Sequence, residues 1–410
     1  FGSSAYVEPY LMLLVTLALI AVLRAQEESA FLWPAGVFAG AAASVKYPGL
    51  AAVAIFALLI AVTTARRAGR FRAYRALAVF LGCAALLGSA FYLRNLVQRG
   101  NPVYPMAFAL FEGSGWDAWR GWALGKVLEG FGAGRTFLDY LALPGRLFLW
   151  RDLERGLEGS LGPVLGAGAM SALALCVFRR RALPTEPERQ AVVATALFAA
   201  AWSLFWALST QQVRFYLVAL PALAALLLRA AATTRWPSVL VATATAGTLV
   251  WTAPLALKLW ERQQTTAWLT GGIDREALLR GKLPESYALQ ADIEALVPPQ
   301  GRIWLVWMRN YTYYLRRPVR QDSVFEGYRL EALLDEVSDD RALPDALRTD
   351  GITHLLINHA LFLWNDNADL RPGRTRKIRQ RFEALVAQGA FRAVKSWGQI
   401  VLYEVSAEKR

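Results

Sequence analysis

Cysteine and histidine are almost missing from this chain, with two of each in 410 residues. Cys83 and Cys176 lie inside apolar segments. That placement argues against a disulfide framework and reads as packing. His354 and His359 flank one expected strand. An unsupported pair of that kind is structural rather than a ligand set. There is no His-Glu-x-x-His, no Cys-x-x-Cys and no Walker loop. Zinc hydrolysis and ATP-driven transport therefore lack a sequence basis. Charge is scarce too: 19% of residues are charged, 55% are hydrophobic and mean hydropathy is +0.30. These values fit a multi-span membrane protein. The 15 Trp and 20 Phe agree, because aromatic rings collect at membrane–water interfaces. The net charge of +13 sits mostly in short loops, where the positive-inside rule explains it. No basic stripe with interleaved aromatics is present, so no nucleic-acid partner is read.

What is present is a series of apolar segments. A helix needs about 20 apolar residues to cross a bilayer, and somewhat shorter ones are tolerated. The candidates are 7–23, 30–45, 48–65, 76–93, 161–178, 191–208, 215–232 and 238–257. Residues 30–65 are too long for one crossing at about 1.5 Å per residue. Lys46-Tyr47-Pro48-Gly49 breaks them into two spans, since Pro lacks an amide donor and disfavours helix just before it.

The loops orient the stack. Arg66, Arg67, Arg70, Arg72 and Arg75 crowd one loop, Arg179, Arg180, Arg181 and Arg189 another, and Arg229 and Arg235 flank a third. All three fall on one side, which is then cytoplasmic. The opposite side receives Glu8, Lys46, Arg94, Arg214, the loop 94–160 and the tail. Within that loop, 136–150 is too short to span. It reads either as amphipathic segments on the interface or as a loop buried against the spans.

From 259 onward the apolar runs shorten. Strands are expected at 302–307, 353–358, 391–396 and 400–405, and helices at 285–296, 328–337 and 376–388. Pro298-Pro299-Gln300-Gly301 marks a turn. The expected architecture is a multi-span α-helical membrane domain over 1–258, followed by an α/β domain over 259–410 on the extracytoplasmic side.

Glu8, Lys46, Arg94 and Arg214 each sit at an end of an apolar segment, all on one face. Ionisable groups at the hydrocarbon edge are functional candidates by default. Glu8 is suited to act as a general base, a metal ligand or a partner for a cation. A divalent metal is compatible with it, but no cofactor is read from the sequence. Snorkelling explains either Arg taken alone. Together with Lys46, the two read as a phosphate-binding set.

Several segments resemble the GT-C glycosyltransferases, membrane enzymes related to protein O-mannosyltransferases and lipid A aminoarabinose transferases. Tyr6-Val7-Glu8-Pro9-Tyr10 resembles their acidic junction between outer loop and helix. Ala41-Ala42-Ala43-Ser44-Val45-Lys46-Tyr47-Pro48 is similar to their small-residue, Lys-Tyr motif. Further resemblance lies in Arg94-Asn95, in Gly100-Asn101-Pro102-Val103-Tyr104-Pro105, in Gln212-Val213-Arg214-Phe215-Tyr216, and in the tail at Gly351-Ile352-Thr353-His354 and Val401-Leu402-Tyr403-Glu404-Val405.

The resemblance implies a polyprenyl-phosphate-linked sugar donor and a glycan, lipid or protein acceptor at the outer face of the cytoplasmic membrane. It places Glu8 at a second acidic position of the family, as a catalytic carboxylate, and Lys46, Arg94 and Arg214 as ligands of the donor phosphate. Tyr47, Asn95, Asn101, Tyr104, Gln212 and Tyr216 would then line the substrate pocket. A lipid-linked glycan ligase is the close alternative, and a non-catalytic flippase or export component is the distant one. The family's principal acid lies on an outer loop that precedes the part present here. The chain opens at Phe1 without Met, so the natural N-terminus is expected to precede it and the 410-residue chain is expected to be inactive alone. Surface charges contribute little to stability. Replacing Lys46 or Arg214 is therefore expected to weaken donor binding more than the fold.

Overall fold

A computed structural model describes the chain from 7 to 406, apart from 150–156, 158–160, 164–165, 167–184, 233–236, 263, 283, 309–314, 322–327, 338, 340–341 and 363–373. It divides into two compact units, 1–256 and 257–410.

The first unit is helical. Helix α1 spans Glu8–Ala25, α2 Leu32–Val45, α3 Pro48–Ala68 and α4 Arg70–Arg99. Two shorter helices follow, α5 (Ala118–Glu129) and α6 (Phe137–Leu149). Then come α7 (Glu186–Leu208), the single turn α8 (Val213–Tyr216), α9 (Leu220–Ala232) and α10 (Pro237–Arg262). Among the described residues, five stretches are long and apolar enough to cross a membrane: α1, α3, α4, α7 and the run Val213–Ala232. These match five of the expected spans, and α10 falls on a sixth. The expected 30–45 span is the shorter apolar stretch Ser29–Val45. The expected span 161–178 lies largely outside the described residues. Only 22% of the most apolar window of α4 is buried. An outward surface this apolar suits lipid, because lipid tails replace the polar coat a soluble helix would need.

Small residues set the packing of α2 on α4. A Cβ added at Gly36 would stand 2.3 Å from the Phe80 carbonyl oxygen, and one at Gly40 would stand 2.3 Å from that of Ala84. The two glycines are four residues apart, so they share one helix face and let the backbones approach closely. At the next junction the chain turns within Lys46-Tyr47, and Pro48 opens α3. Gly49 lies so near Ala42 that a Cβ would meet its carbonyl oxygen at 2.2 Å. Phe56 of α3 stacks on Phe198 of α7, with ring centroids 5.1 Å apart.

Helix α6 meets both descriptions given for 136–150. Leu143 and Leu147 are buried in the core shared with α1, α2, α3 and α7. Phe137, Leu138 and Leu141 are each at least 70% exposed. One face thus packs on the spans, while the other presents apolar surface.

The second unit is α/β. Its five-stranded sheet has the order β2-β1-β3-β5-β4, with β1 Ile303–Val306, β2 Val319–Arg320, β3 His354–Asn358, β4 Phe391–Trp397 and β5 Ile400–Val405. The β1 pairings with β2 and β3 are parallel, and those of β5 with β3 and β4 are antiparallel. Alternate residues divide between two cores. Trp304, Val306, Leu355 and Ile357 meet helices Tyr328–Glu336, Ala342–Thr349 and Arg374–Ala387 on one face. Ile303, Leu305, Leu356 and Leu402 meet Pro284–Leu296 on the other. A sheet covered on both faces reads as near-continuous apolar strands, as Ile303–Val306 does.

Candidate active site at the Glu8 end of the helical unit

Glu8 is the first residue of α1, where the helix dipole favours a negative charge. The helix beyond it buries Leu11, Val15 and Ala18 completely, which draws its start into the protein. The Glu8 side chain is 1% exposed, and its Oε1 accepts a 2.7 Å hydrogen bond from Lys46 Nζ. Arg214 Nε lies 3.8 Å from the same oxygen. The Phe215 ring sits 4.3 Å from Lys46 Nζ and 5.2 Å from the Arg214 guanidinium carbon. Both cations therefore share one carboxylate oxygen and one aromatic ring. The other oxygen, Oε2, is buried and has no hydrogen-bond partner among the described residues.

Three separate braces hold this cluster. Lys46 ends α2, and that end is tied to α4 by Tyr92 Oη donating to Ala43 O at 2.6 Å and by Ser44 Oγ donating to Leu87 O at 2.8 Å. Arg214 lies on α8, a single turn stapled from α7 by two buried indoles. Trp206 Nε1 donates to Gln212 O at 2.8 Å, and Trp202 Nε1 donates to Phe215 O at 3.1 Å. The loop after α6 adds a third tie, with Val213 N donating to Leu157 O at 2.9 Å.

Among the sequence candidates, Glu8, Lys46 and Arg214 come together. Arg94 is exposed on α4, and its Nε donates to Gln98 one turn along, at 3.2 Å. Tyr47, Asn95 and Tyr104 form an adjoining group. Tyr47 Oη donates to Tyr104 O, and Asn95 Nδ2 contacts Tyr47 Oη at 3.4 Å and Pro102 O at 3.5 Å. Asn101 is fully buried and serves its own loop, donating to Met106 O and Glu112 O and accepting from Val103 N. Tyr216 packs into α7, with its hydroxyl 2.9 Å from Ser203 Oγ and its ring edge-on to Trp206. Gln212 is buried, and its Nε2 has no partner among the described residues.

Sequence reasoning passed over the ring of Phe215 and the loop's own framework. Phe215 directly follows Arg214, and an aromatic beside a candidate phosphate cation was the available signal. Gln211 accepts from Ala133 N through Oε1 and donates to Ala207 O through Nε2, both at 2.9 Å. Arg146 bonds Asp139 at 2.8 Å. Hydrogen bonds from Thr136 and Arg146 hold the Asp139 carboxyl down at about 2. These contacts fasten 131–146 onto the junction between α7 and α8.

The same fold occurs in a solved structure. The crystal structure of ArnT from Cupriavidus metallidurans in the apo state matches with a TM-score of 0.50, over 98% of this chain and 74% of that one. The chain has an ArnT-like fold. The likeness bears out the expectation of a GT-C-like helical membrane protein carrying an α/β region at its C-terminal end. At 14% identity, it carries the ArnT-like fold and no residue role. No family model matches the sequence, and no curated protein does.

In the sheet unit the two histidines have separate partners. His354 Nδ1 lies 2.8 Å from Thr353 Oγ1, and His359 Nε2 lies 2.9 Å from Tyr403 Oη. Burial pushes both imidazoles below their ordinary range. Among the described residues no cluster of His, Cys, Asp and Glu is arranged to hold a metal.

Proposed function

We propose that the protein is a glycosyltransferase that takes a sugar from a polyprenyl-phosphate carrier and passes it to an acceptor hydroxyl at the outer face of the cytoplasmic membrane. One observation carries this reading: Lys46 and Arg214 converge on a single buried carboxylate at one end of the membrane helices. Among the described residues, these two cations face one anion at this end of the helices. Their side chains are 31% and 20% exposed, so an anion reaches them while Glu8 stays covered. The ArnT-like fold is in keeping with the GT-C resemblance read from the sequence.

The chemistry fits the charge. The acceptor oxygen attacks the anomeric carbon, the bond from that carbon to the phosphate oxygen breaks with its electron pair leaving on polyprenyl phosphate, and the hydroxyl proton passes to solvent or to the departing phosphate. The donor is a phosphodiester of charge −1, and the released monoester moves toward −2. Cations fixed where that charge develops stabilise the transition state. Arg214 is suited to bidentate contact with phosphate and Lys46 to a point charge. Glu8 enters as the residue that holds both cations in place. Its carboxylate is covered, and one of its oxygens is already taken by Lys46. Tyr47 and Asn95 stand as pocket walls, and Arg94 as an outlying cation on the same face.

The test is transfer of labelled sugar from polyprenyl-phosphate donors by the protein with its natural N-terminus restored and by its Glu8→Gln variant. A positioning role predicts a raised apparent KM for donor and an unchanged shape of the pH–rate profile. A fall in kcat at constant KM, with loss of the acidic limb, would make Glu8 the base instead. Arg214→Ala retaining wild-type donor KM would refute the phosphate role.

A further inference from the structure

The helical unit has a polar cleft at the opposite end from Glu8. Helix α1 has 18 residues, so its ends are about 27 Å apart at 1.5 Å per residue. A cavity of about 590 Å³ opens at its far end, between the turn after α1 and the hairpin of α3 and α4. That hairpin turns at Gly69, where φ is +85°.

The lining is graded along the helix axes. On α3 it runs from Ile60 through Thr63 and Thr64 to Arg67. On α4 it runs from Val79 and Ala76 to Arg75 and Arg72. Residues three and four apart share a helix face, so each helix presents one stripe that passes from apolar depth to basic rim. Ile60, Leu32 and Val22 are buried and form the floor. Arg67 is already committed: its Nη1 donates to Gln26 O at 2.6 Å and fastens the turn after α1. Arg72 and Arg75 are exposed and make no hydrogen bond or ion pair to any described residue. Glu27 is the one acid on the lining, against three arginines.

We propose that this cleft binds a phosphate-bearing ligand, namely the headgroup of an anionic phospholipid, with Arg72 and Arg75 on the phosphate and the apolar floor under the glycerol and upper acyl chain. The gradient from cation to hydroxyl to hydrocarbon matches a phospholipid along its own length. The positive-inside rule explains why arginines gather at this end. It does not require a cleft beneath them, and basic pockets between membrane helices are where anionic headgroups bind. The proposal is independent of the sugar-transfer reading.

The experiment is native mass spectrometry of the full chain released from nanodiscs holding equal amounts of phosphatidylglycerol and phosphatidylcholine. Wild type is expected to retain one phosphatidylglycerol in preference to phosphatidylcholine. Arg72→Ala/Arg75→Ala is expected to reduce that retention roughly tenfold. Arg66→Ala/Arg70→Ala removes the same charge from the same loop but lies outside the lining, and is expected to retain it. Equal loss in the two double variants would overturn the proposal in favour of diffuse surface attraction, as would equal retention of both lipids. Displacement of the bound lipid by millimolar inorganic phosphate would assign the site to free phosphate instead. Size-exclusion elution at the wild-type position confirms that each variant is folded.

Discussion

The two ends of the helical unit both carry cations, yet they use them differently. At the Glu8 end, Lys46 and Arg214 are half-buried, share a covered carboxylate and lie against one aromatic ring. At the other end, Arg72 and Arg75 are exposed and have no partner among the described residues. Number of charges does not mark a site. A cation held by buried neighbours costs desolvation and ordering, and persists where geometry matters. A cation at the rim costs little to hold and stays open to an anion from outside the fold.

The largest expected effect attacks the scaffold that both ends share. Gly40→Val would drive a side chain into the Ala84 backbone, 2.3 Å from the added Cβ. Neighbouring backbone cannot yield as a flexible side chain would, so the loss should reach about 3 kcal/mol or more. Little monodisperse protein should survive extraction, and wild-type recovery would show that α2 and α4 are not in this contact.

Next, Lys46→Ala should cost about 3 kcal/mol, because it leaves the buried Glu8 with only the more distant Arg214. Arg72→Ala should stay within about 0.5 kcal/mol. Here the structure corrects the sequence reading, which treated Lys46 as a surface charge of little consequence for the fold. A partner that is 1% exposed changes that balance. Equal melting temperatures for the two variants would erase the distinction between the ends.

A smaller effect sharpens it. Tyr92→Phe removes the hydrogen bond to Ala43 O that steadies the end of α2, at about 1 kcal/mol. Its donor affinity should fall while that of Arg67→Ala does not.

The smallest effect lies in the sheet unit. His354 and His359 are both depressed below 6.5 by burial, so the unfolded chain binds their protons first. Stability from the neutral rings is complete above about pH 6.5 and is lost as pH falls toward their folded values. Protection factors for amide exchange in β3 and β5, corrected for the intrinsic pH dependence of exchange, should fall over that window, and protection that holds or rises on acidification would contradict the assignment.

Much of this was legible from residues alone. The strands of the tail were bounded to within a residue or so, because apolar runs such as Ile303–Val306 carry their own signal between turns. The break at Lys46–Pro48 was equally plain, since Pro has no amide to give. Glu8, Lys46 and Arg214 could be brought to one face by counting helices. What could not be read was depth. Nothing in the sequence separates Lys46, paired to a covered acid, from Arg94, which is exposed and bonded to Gln98. Both end an apolar segment. Nor did it show that Asn101 and Tyr216 spend their polar atoms on their own loop and on α7, because those contacts depend on how distant segments meet. The two-residue β2 and the helix Ala342–Thr349 were missed for a simpler reason, being too short to establish a period.

The central claim is that the cluster at Glu8 receives a phosphate. It is tested most directly by the affinity of purified protein for polyprenyl phosphate, measured on wild type, Arg214→Ala and Arg66→Ala. The account predicts binding weakened roughly tenfold or more in Arg214→Ala, since a charged contact to phosphate is lost, and unchanged in Arg66→Ala. Equal affinity in wild type and Arg214→Ala would contradict it.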